Sequence, residues 1–521
     1  MSTRQYDNAL DLITFSRASG TVGATALRKV AYGSELVTNG DFSNGTTGWQ
    51  ASLSGSISET SGQLTLSTNN GVWSGASTAI TIQAGKLYRA TFDIISSDGT
   101  LYLYTDDVAG SASKIQGLGG YTGTGTKSVS FVASSSAAFI TFTNVNVATD
   151  NTWVIDNVSV KEVTFDQGDL TLFNHPADIP RIEYDADGNR LGLLIEESRT
   201  NLLPYSEDFT DAQWSKTYSV AVSPSSEAAP NGQKVAYELT GIESSDGDAG
   251  ISEFISASAS TTYTGTVWFK AKNASDVGKY VRLRLKRNGG TFVAQSESVQ
   301  LTNSWVRHEV TLTLLSDNTG IGFIITKDST QNTVDRADEC LIYGAQLEEG
   351  AFPTSYIPTS GATATRAADV ASIPVSAFGY NQGEGTVVVE GTQYESSNSI
   401  SRFVELYGGG TGSGGYLSLG VYQDSSWIET YNGDVLNLYD VKVSGERQKM
   451  ASGFDSSGNT FCGDGNILGT PSTSSLVNPV SVSLLYVGVH WSGFQQANGH
   501  IKSIKYFPRK LTAAQLQELT T

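Results

Sequence analysis

The chain has 521 residues, with 52 Asp and Glu against 33 Lys and Arg, for a formal net charge of −19. A nucleic-acid partner requires a basic footprint, which this charge balance excludes. Two cysteines exclude a disulfide framework, and no apolar run reaches the roughly 18 residues of a membrane span.

Gly is abundant, at 55, and aromatic residues make up 10% of the chain. β-Branched and aromatic residues suit pleated, half-buried surfaces, whereas Gly, Asn, Asp and Ser suit turns, so the predicted fold class is all-β. The opening "MSTRQYDNAL" lacks the basic-then-apolar pattern of a secretory signal, and a soluble chain made in a cytoplasm is expected. Residues 1–33 hold one strand-like run and a Gly-rich turn, too little for a core. Residues 34–163 carry short alternating runs such as "GQLTLST", "LYRATFDII", "TLYLYT" and "TWVIDNVSVKEV". Turn residues separate them at about ten-residue spacing, which predicts a β-sandwich. Residues 164–199 bring two more strand runs around the turn "DADGN". With 1–33 they are expected to form one small split β-element, into which the first sandwich is inserted.

Residues 200–358 repeat the sandwich plan. "NGDF…GW" (39–49) matches "SEDFTDAQW" (206–214), "KLYRATFDI" matches "TTYTGTVWFK", and "TWVIDNVSVKE" matches "ECLIYGAQLEE". Repetition on this scale means a duplicated module. Cys340, inside the last of these runs, is expected in the core. "YVRLRLKRNGG" (280–290) is the one local basic cluster. Arg282, Arg284 and Lys286 alternate with Val281, Leu283 and Leu285, the pattern of a strand with a solvent face. Residues 359–521 predict a third sandwich closed by a short amphipathic helix, "LTAAQLQELT", with Thr512 as N-cap. The expected architecture is three antiparallel β-sandwich (jelly-roll) domains in tandem on a small split N-terminal β-element, with a short C-terminal helix.

Several strings carry a family resemblance. "DLITFSRASGTVGAT" (11–25), "PRIEYDADGNRLGLLIEESRTNLLPYSEDF" (180–209) and "GAQLEEGAFPTSYIPTSGATATRAADV" (344–370) resemble a module of tailed-phage and prophage structural proteins. In that family the first two pieces stand close together, which supports an insertion here. The 34–163 segment is similar to CenC-like carbohydrate-binding modules in its "NGDF…GW" start and "WVIDNVSV" finish. "NGHIKSIKYFPRKLTAAQLQELT" (498–520) resembles the end of a concanavalin A- or laminin-G-like domain. The resemblance implies a non-enzymatic virion protein, a fibre, spike or decoration of tail or head, assembled in the host cytoplasm. Its partners would be other virion proteins and host-surface polysaccharide, with no nucleic acid and no membrane insertion. Fibres and spikes of this kind are often homotrimers, although no heptad run argues for one here. The alternatives are a purely structural virion protein and a glycan-degrading tail spike.

The candidate chemistry follows from residue type. Sugar sites in sandwiches stack rings on exposed aromatic faces, and Trp73, Tyr102, Tyr104, Tyr121, Trp427 and Trp491 are the candidates. Tyr102 and Tyr104 are two apart and share a strand face, a pattern that also fits a core pair. No cofactor is required. The carbohydrate-binding resemblance brings a structural Ca²⁺ between first turn and last strand, where Glu35, Asn39, Asp41 and Asp156 stand in the first sandwich and Asp208 and Gln346 in the second. Calcium takes six to eight oxygens; the competing reading of these residues is a set of capped turns. The adjacent acids Glu196/Glu197, Asp106/Asp107 and Glu348/Glu349 point to opposite strand faces and are expected at turns or rims. No catalytic constellation is found.

Overall fold

Apolar–polar alternation broken by frequent turns gives the backbone one fully hydrogen-bonded arrangement, antiparallel ladders that bury one face. The computed structural model describes all residues except 1–12, 18–23, 54, 69–72, 110–114, 145–149, 234–235, 243–248, 395–399, 409–415, 423–424, 431–434, 442–445 and 473–481. The fold is all-β, and the one α-helix among the described residues is Ala513–Thr520. The chain divides into two compact units, residues 28–170 and residues 1–27 with 171–521.

The 28–170 unit is a sandwich. One sheet has five strands in the order Trp49–Ser52, Gly75–Ile82, Ala137–Thr143, Leu101–Asp106, Gln116–Tyr121. The other centres on Thr152–Phe165, paired with Leu87–Ser97 and, at its two ends, with Gln63–Ser67 and Ala24–Glu35. Phe92, Ile94, Leu103, Ile140, Phe142, Trp153 and Ile155 fill the space between them.

The second sandwich, in the other unit, has the same plan. Its first sheet runs Ser215–Lys216, Gly250–Ser256, Gly320–Lys327, Tyr280–Asn288, Ala294–Gln300, and its second centres on Glu339–Glu349. The duplication extends to single bonds. Trp49 Nε1 donates to Asn39 O at 3.1 Å and Trp214 Nε1 to Tyr205 O at 2.9 Å. Asp41 caps Ser43 as Asp208 caps Thr210. The Tyr88 hydroxyl accepts from Gln83 N at 2.9 Å, and that of Tyr263 from Ser258 N at 2.8 Å. Both final strands bulge at a left-handed residue, Asn157 (φ 52°) and Gly344 (φ 62°). Cys340 is buried in the core. Val281, Leu283 and Leu285 face inward, as their alternation predicts.

The third sandwich has two seven-stranded sheets. Here the structure corrects one expectation. Ala24–Glu35 and Asp169–His175, one strand from each piece, stand side by side in the sheet that centres on Thr152–Phe165, but the other strands of the two pieces do not form an element of their own. Thr14–Ser16 pairs with Val370–Pro374 at the edge of one sheet, while Ile182–Tyr184 and Arg190–Ile195 extend the other through Gly499–Phe507. Two- or three-stranded fragments have no face to bury by themselves, whereas a sheet edge offers both ladder partners and a core. The closing helix has the predicted N-cap, Thr512, with Gln515 completing a capping box. Leu511 and Leu516 pack on Ala451 and Cys462.

The resemblance-bearing strings converge on a buried ionic hub. Arg17 Nη1 donates to Asp369 Oδ1 at 3.1 Å. Arg181 is fully buried and donates to Glu196 Oε2 at 2.7 Å and to Asp369. Arg366 Nη2 lies 3.5 Å from Glu196, and Arg199 pairs with Glu197 at 2.5 Å. Asn201 ties Ala345 O, Ile357 O, Leu203 N and Leu347 N together. The Glu196 carboxylate also accepts from Ser355 N and Oγ, both at 2.7 Å. Burial alone would raise its pKa, but Arg366, Arg181 and Ser355 outweigh burial and hold it well below the ordinary carboxylate value. The expectation that paired acids sit at turns or rims holds for Asp107 and Glu349, which are exposed, and is overturned for the other four. Glu196, Glu197, Asp106 and Glu348 are all buried, because each has a donor to satisfy it.

Candidate functional site

Tyr102 and Tyr104 lie on the outward face of Leu101–Asp106, and both are half-buried. The next strand, Gln116–Tyr121, reads "QGLGGY" and sets Gly120 opposite Tyr102 and Gly117 opposite Tyr104. A Cβ at Gly120 would sit 2.8 Å from Tyr102 Cε1, and one at Gly117 would sit 3.2 Å from Tyr104 Cε1. Bare glycine backbone thus lets both rings lean across the sheet instead of standing off it. Glycine inside a strand weakens it, and its presence here marks this close approach. Trp73, at φ 66°, sets its ring edge-on to Tyr104, with centroids 5.5 Å apart.

Beside the rings runs a row of hydroxyls on the same sheet face. Ser52 Oγ and Ser77 Oγ are 2.8 Å apart, Ser77 Oγ and Thr141 Oγ1 are 2.9 Å apart, and Thr141 donates to Asp106 Oδ2 at 2.6 Å. These groups are buried and form the floor of the face. The face combines aromatic rings for stacking with a hydrogen-bonded polar row beside them. Tyr104 is harder to ionise than a free tyrosine, through burial and the neighbouring Tyr102, so it remains a neutral donor at physiological pH.

The other candidates separate. Tyr121 turns toward the core, packing edge-on against Phe92 at 5.0 Å with its hydroxyl donating to Leu118 O at 2.8 Å. The Trp427 side chain lies outside the described residues. Trp491, in the third sandwich, is exposed, stacks parallel on Tyr407 at 5.1 Å and donates its backbone N–H to Glu405 Oε1 at 3.0 Å.

The metal candidates are engaged locally. Glu35 Oε1 accepts from Val37 N at 3.0 Å and Val160 N at 2.8 Å. Asn39 spans Gly45 O and Thr47 O. Asp41 accepts from the Ser43 hydroxyl and N–H, which lower its pKa. Asp156 accepts from Asn157 N, while burial and the nearby Asp93 and Asp41 raise its pKa. Asp208 accepts from Thr210, and Gln346 bridges Ile357 N and Glu348. Among the described residues, no group of three or more His, Cys, Asp or Glu is placed to hold a metal ion.

A cleft of about 460 Å³ opens at the outer end of the ionic hub, lined in part by Glu183, Glu196, Arg307, Phe352, Tyr394 and Asn498. Glu196 and Asn498 are tied into the hub, and Glu183 accepts from His500 Nε2 at 2.7 Å.

The glycine strand was absent from the sequence candidates, although its signal was present. "QGLGGY" is the next strand after "TLYLYT", and spaced glycines beside spaced tyrosines are the cue. The hydroxyl row, in contrast, depends on long-range register that no local pattern reveals.

No family model matches the chain, and no curated protein matches it. Solved structures that are similar include the CBM22-1-CBM22-2 tandem of Paenibacillus barcinonensis Xyn10C, 10% identical, covering 63% of this chain and 100% of that one at a TM-score of 0.24. The CBM40 of the Ruminococcus gnavus IT-sialidase, bound to α2,3-sialyllactose, is 15% identical and covers 27% of this chain and 84% of that one at a TM-score of 0.24. The Trypanosoma rangeli sialidase in complex with the inhibitor DANA is 8% identical, covering 90% and 93% at a TM-score of 0.26. At these scores the likenesses carry no argument about function.

Proposed function

We propose that the protein is a non-enzymatic glycan-binding component of a tailed-phage virion, whose β-sandwiches engage host-surface polysaccharide. The observation that carries the binding half is the pair of tyrosine rings laid over the glycine strand, with Trp73 at their flank. A pyranose ring presents C–H groups on one face, and a leaning aromatic surface is complementary to them. The same contact inside a sheet would also stabilise a glycine-containing strand, but three half-exposed aromatics on one face exceed what two glycines need. The virion half rests on the sequence resemblance of residues 11–25, 180–209 and 344–370 to tailed-phage modules. Those strings form the buried hub, which joins the second sandwich to the third.

Two measurements test the two halves. A glycan array probed with the full chain should give hits, and an array without hits would favour a purely structural protein. Antibody against residues 359–521 should label fibres, tail tip or capsid of purified virions in electron micrographs. Absence of label from every particle would end the virion reading.

A further inference from the structure

Within the unit that holds the second and third sandwiches, the cleft of about 460 Å³ falls in the range of roughly 300–1,000 Å³ that small-molecule sites occupy. Arg307 and Glu309 enter it from the edge strand Val306–Thr313, two residues apart and so on one strand face. Glu183 comes from Ile182–Tyr184, and Tyr394 directly follows Gly385–Gln393. Three segments far apart in sequence thus converge on one space.

Most polar groups of the lining already have partners. Glu196 accepts from Arg181 and Ser355, and Asn498 donates to Glu197 at 3.1 Å. Arg307 Nη1 donates to Thr354 O and Nη2 to Thr266 Oγ1, both at 2.8 Å, and its guanidinium stands 4.7 Å from the centre of the Trp268 ring. Three groups are left over. Among the described residues, neither the Glu309 carboxylate nor the Tyr394 hydroxyl makes a hydrogen bond or an ion pair, and Glu183 uses only Oε2, on His500 Nε2 at 2.7 Å. Glu309 is exposed, and Tyr394 is 40% exposed, its ring edge-on to that of His500 with centroids 6.0 Å apart. Partial burial raises the Glu309 pKa; Arg307 opposes the shift, and Glu297 and Glu348 add to it. Burial, together with Glu183, Glu196 and Glu309, also makes the Tyr394 hydroxyl harder to ionise. A carboxyl held above its ordinary value and a phenol in the field of three acids mark a space short of positive charge.

We propose that this cleft binds an amino sugar that carries a free, protonated amine. An ammonium group donates hydrogen bonds and accepts none, which matches the leftover acceptors of Glu309 and Glu183. The exposed Tyr394 ring adds a face for the cation or for the C–H side of a pyranose. The Tyr394 hydroxyl remains a neutral group that can meet a sugar hydroxyl as donor or acceptor. N-Acetylation removes the charge and the ion-pair donor, so the cleft discriminates against the acetylated sugar. The inference rests on the glycan-binding reading for the sugar, and it deepens that reading by assigning a cationic ligand to residues other than those of the tyrosine face.

The test is calorimetric titration of the full chain with a glucosamine tetramer, its fully N-acetylated form, and cyclohexylamine, at about pH 6, where the amines are charged. The expected result is saturable binding of the free-amine tetramer, with the acetylated tetramer and cyclohexylamine each at least about tenfold weaker. Glu309→Gln should weaken the free-amine tetramer about tenfold and Tyr394→Ala about fivefold, both with unchanged unfolding behaviour. The chain is acidic overall and attracts any polycation, so the control is Glu518→Gln, which removes one exposed charge from the closing helix and should leave the affinity unchanged. Absence of binding, equal binding of either comparison ligand, or equal losses in Glu309→Gln and Glu518→Gln would overturn the proposal. Neutral-glycan hits on the array without binding of the free-amine tetramer would overturn it and leave the tyrosine face standing. Glu309-dependent binding of the tetramer without neutral-glycan hits would do the reverse.

Discussion

Removal of Asp369 is the sharpest perturbation of the fold. Its carboxylate is fully buried and accepts from Arg17 Nη1 at 3.1 Å, from Arg181, and from Glu196 N at 2.9 Å. In Asp369→Ala, Arg17 would keep two carbonyl acceptors, Pro176 O and His175 O, and Arg181 would keep Glu196. The expected loss is therefore that of one broken buried pair, about 3–5 kcal/mol, and not twice that. The assay is denaturant unfolding of the full chain, with transitions followed separately because two units need not unfold together. The loss should fall in the transition of the unit that holds the second and third sandwiches. As a control, breaking the exposed Lys86–Glu162 pair, whose side chains are 42% and 34% exposed, should change stability by less than about 1 kcal/mol. A loss below about 1 kcal/mol in Asp369→Ala would refute the hub as a structural centre.

Further expectations concern charge, packing and capping. The Glu196 carboxyl titrates below its unfolded value, so its contribution is fully present above about pH 4.3 and is lost as pH falls toward the folded pKa; the stability difference between wild type and Glu196→Gln should shrink in acid. Glu253 behaves oppositely. Burial, with Asp211 nearby, pushes its carboxyl up to about 7, so ionisation is opposed in the folded state as pH rises from about 4.5. Glu253→Gln should be neutral near pH 4 and increasingly stabilising up to about pH 7, which thermal melts across that range would show. Gly120→Ala, whose Cβ would meet the Tyr102 ring at 2.8 Å, should weaken glycan binding while circular dichroism stays native. Thr512→Ala removes the N-cap of the closing helix and should cost about 1 kcal/mol in denaturant unfolding.

The sequence made the sandwiches legible because period-2 alternation is local. Val281, Leu283 and Leu285 and the matched Trp49 and Trp214 turns all fold as their spacing implies. The third sandwich's edges were not legible. Thr14–Ser16 finds its partner more than 350 residues away, at Val370–Pro374, and no local pattern encodes such a pairing. The hub was hidden for a related reason. Glu196 and Glu197 look like a solvated acidic pair until Arg181 and Arg366 arrive from elsewhere in the chain and Arg199, two residues on, closes on Glu197. The tyrosine face was half legible. The spacing of Tyr102 and Tyr104 gave a shared face, but the Gly117 and Gly120 beneath them, and the exclusion of Tyr121, depend on register across a bulge.

The most direct test of the account is calorimetric titration of the best array ligand into the wild-type chain and into Tyr102→Ala/Tyr104→Ala. The account predicts saturable binding to the wild type and at least a tenfold weaker affinity in the variant, about 1.4 kcal/mol, with unchanged unfolding behaviour. Equal affinity in the two proteins would contradict it and remove the tyrosine face as the glycan-binding site.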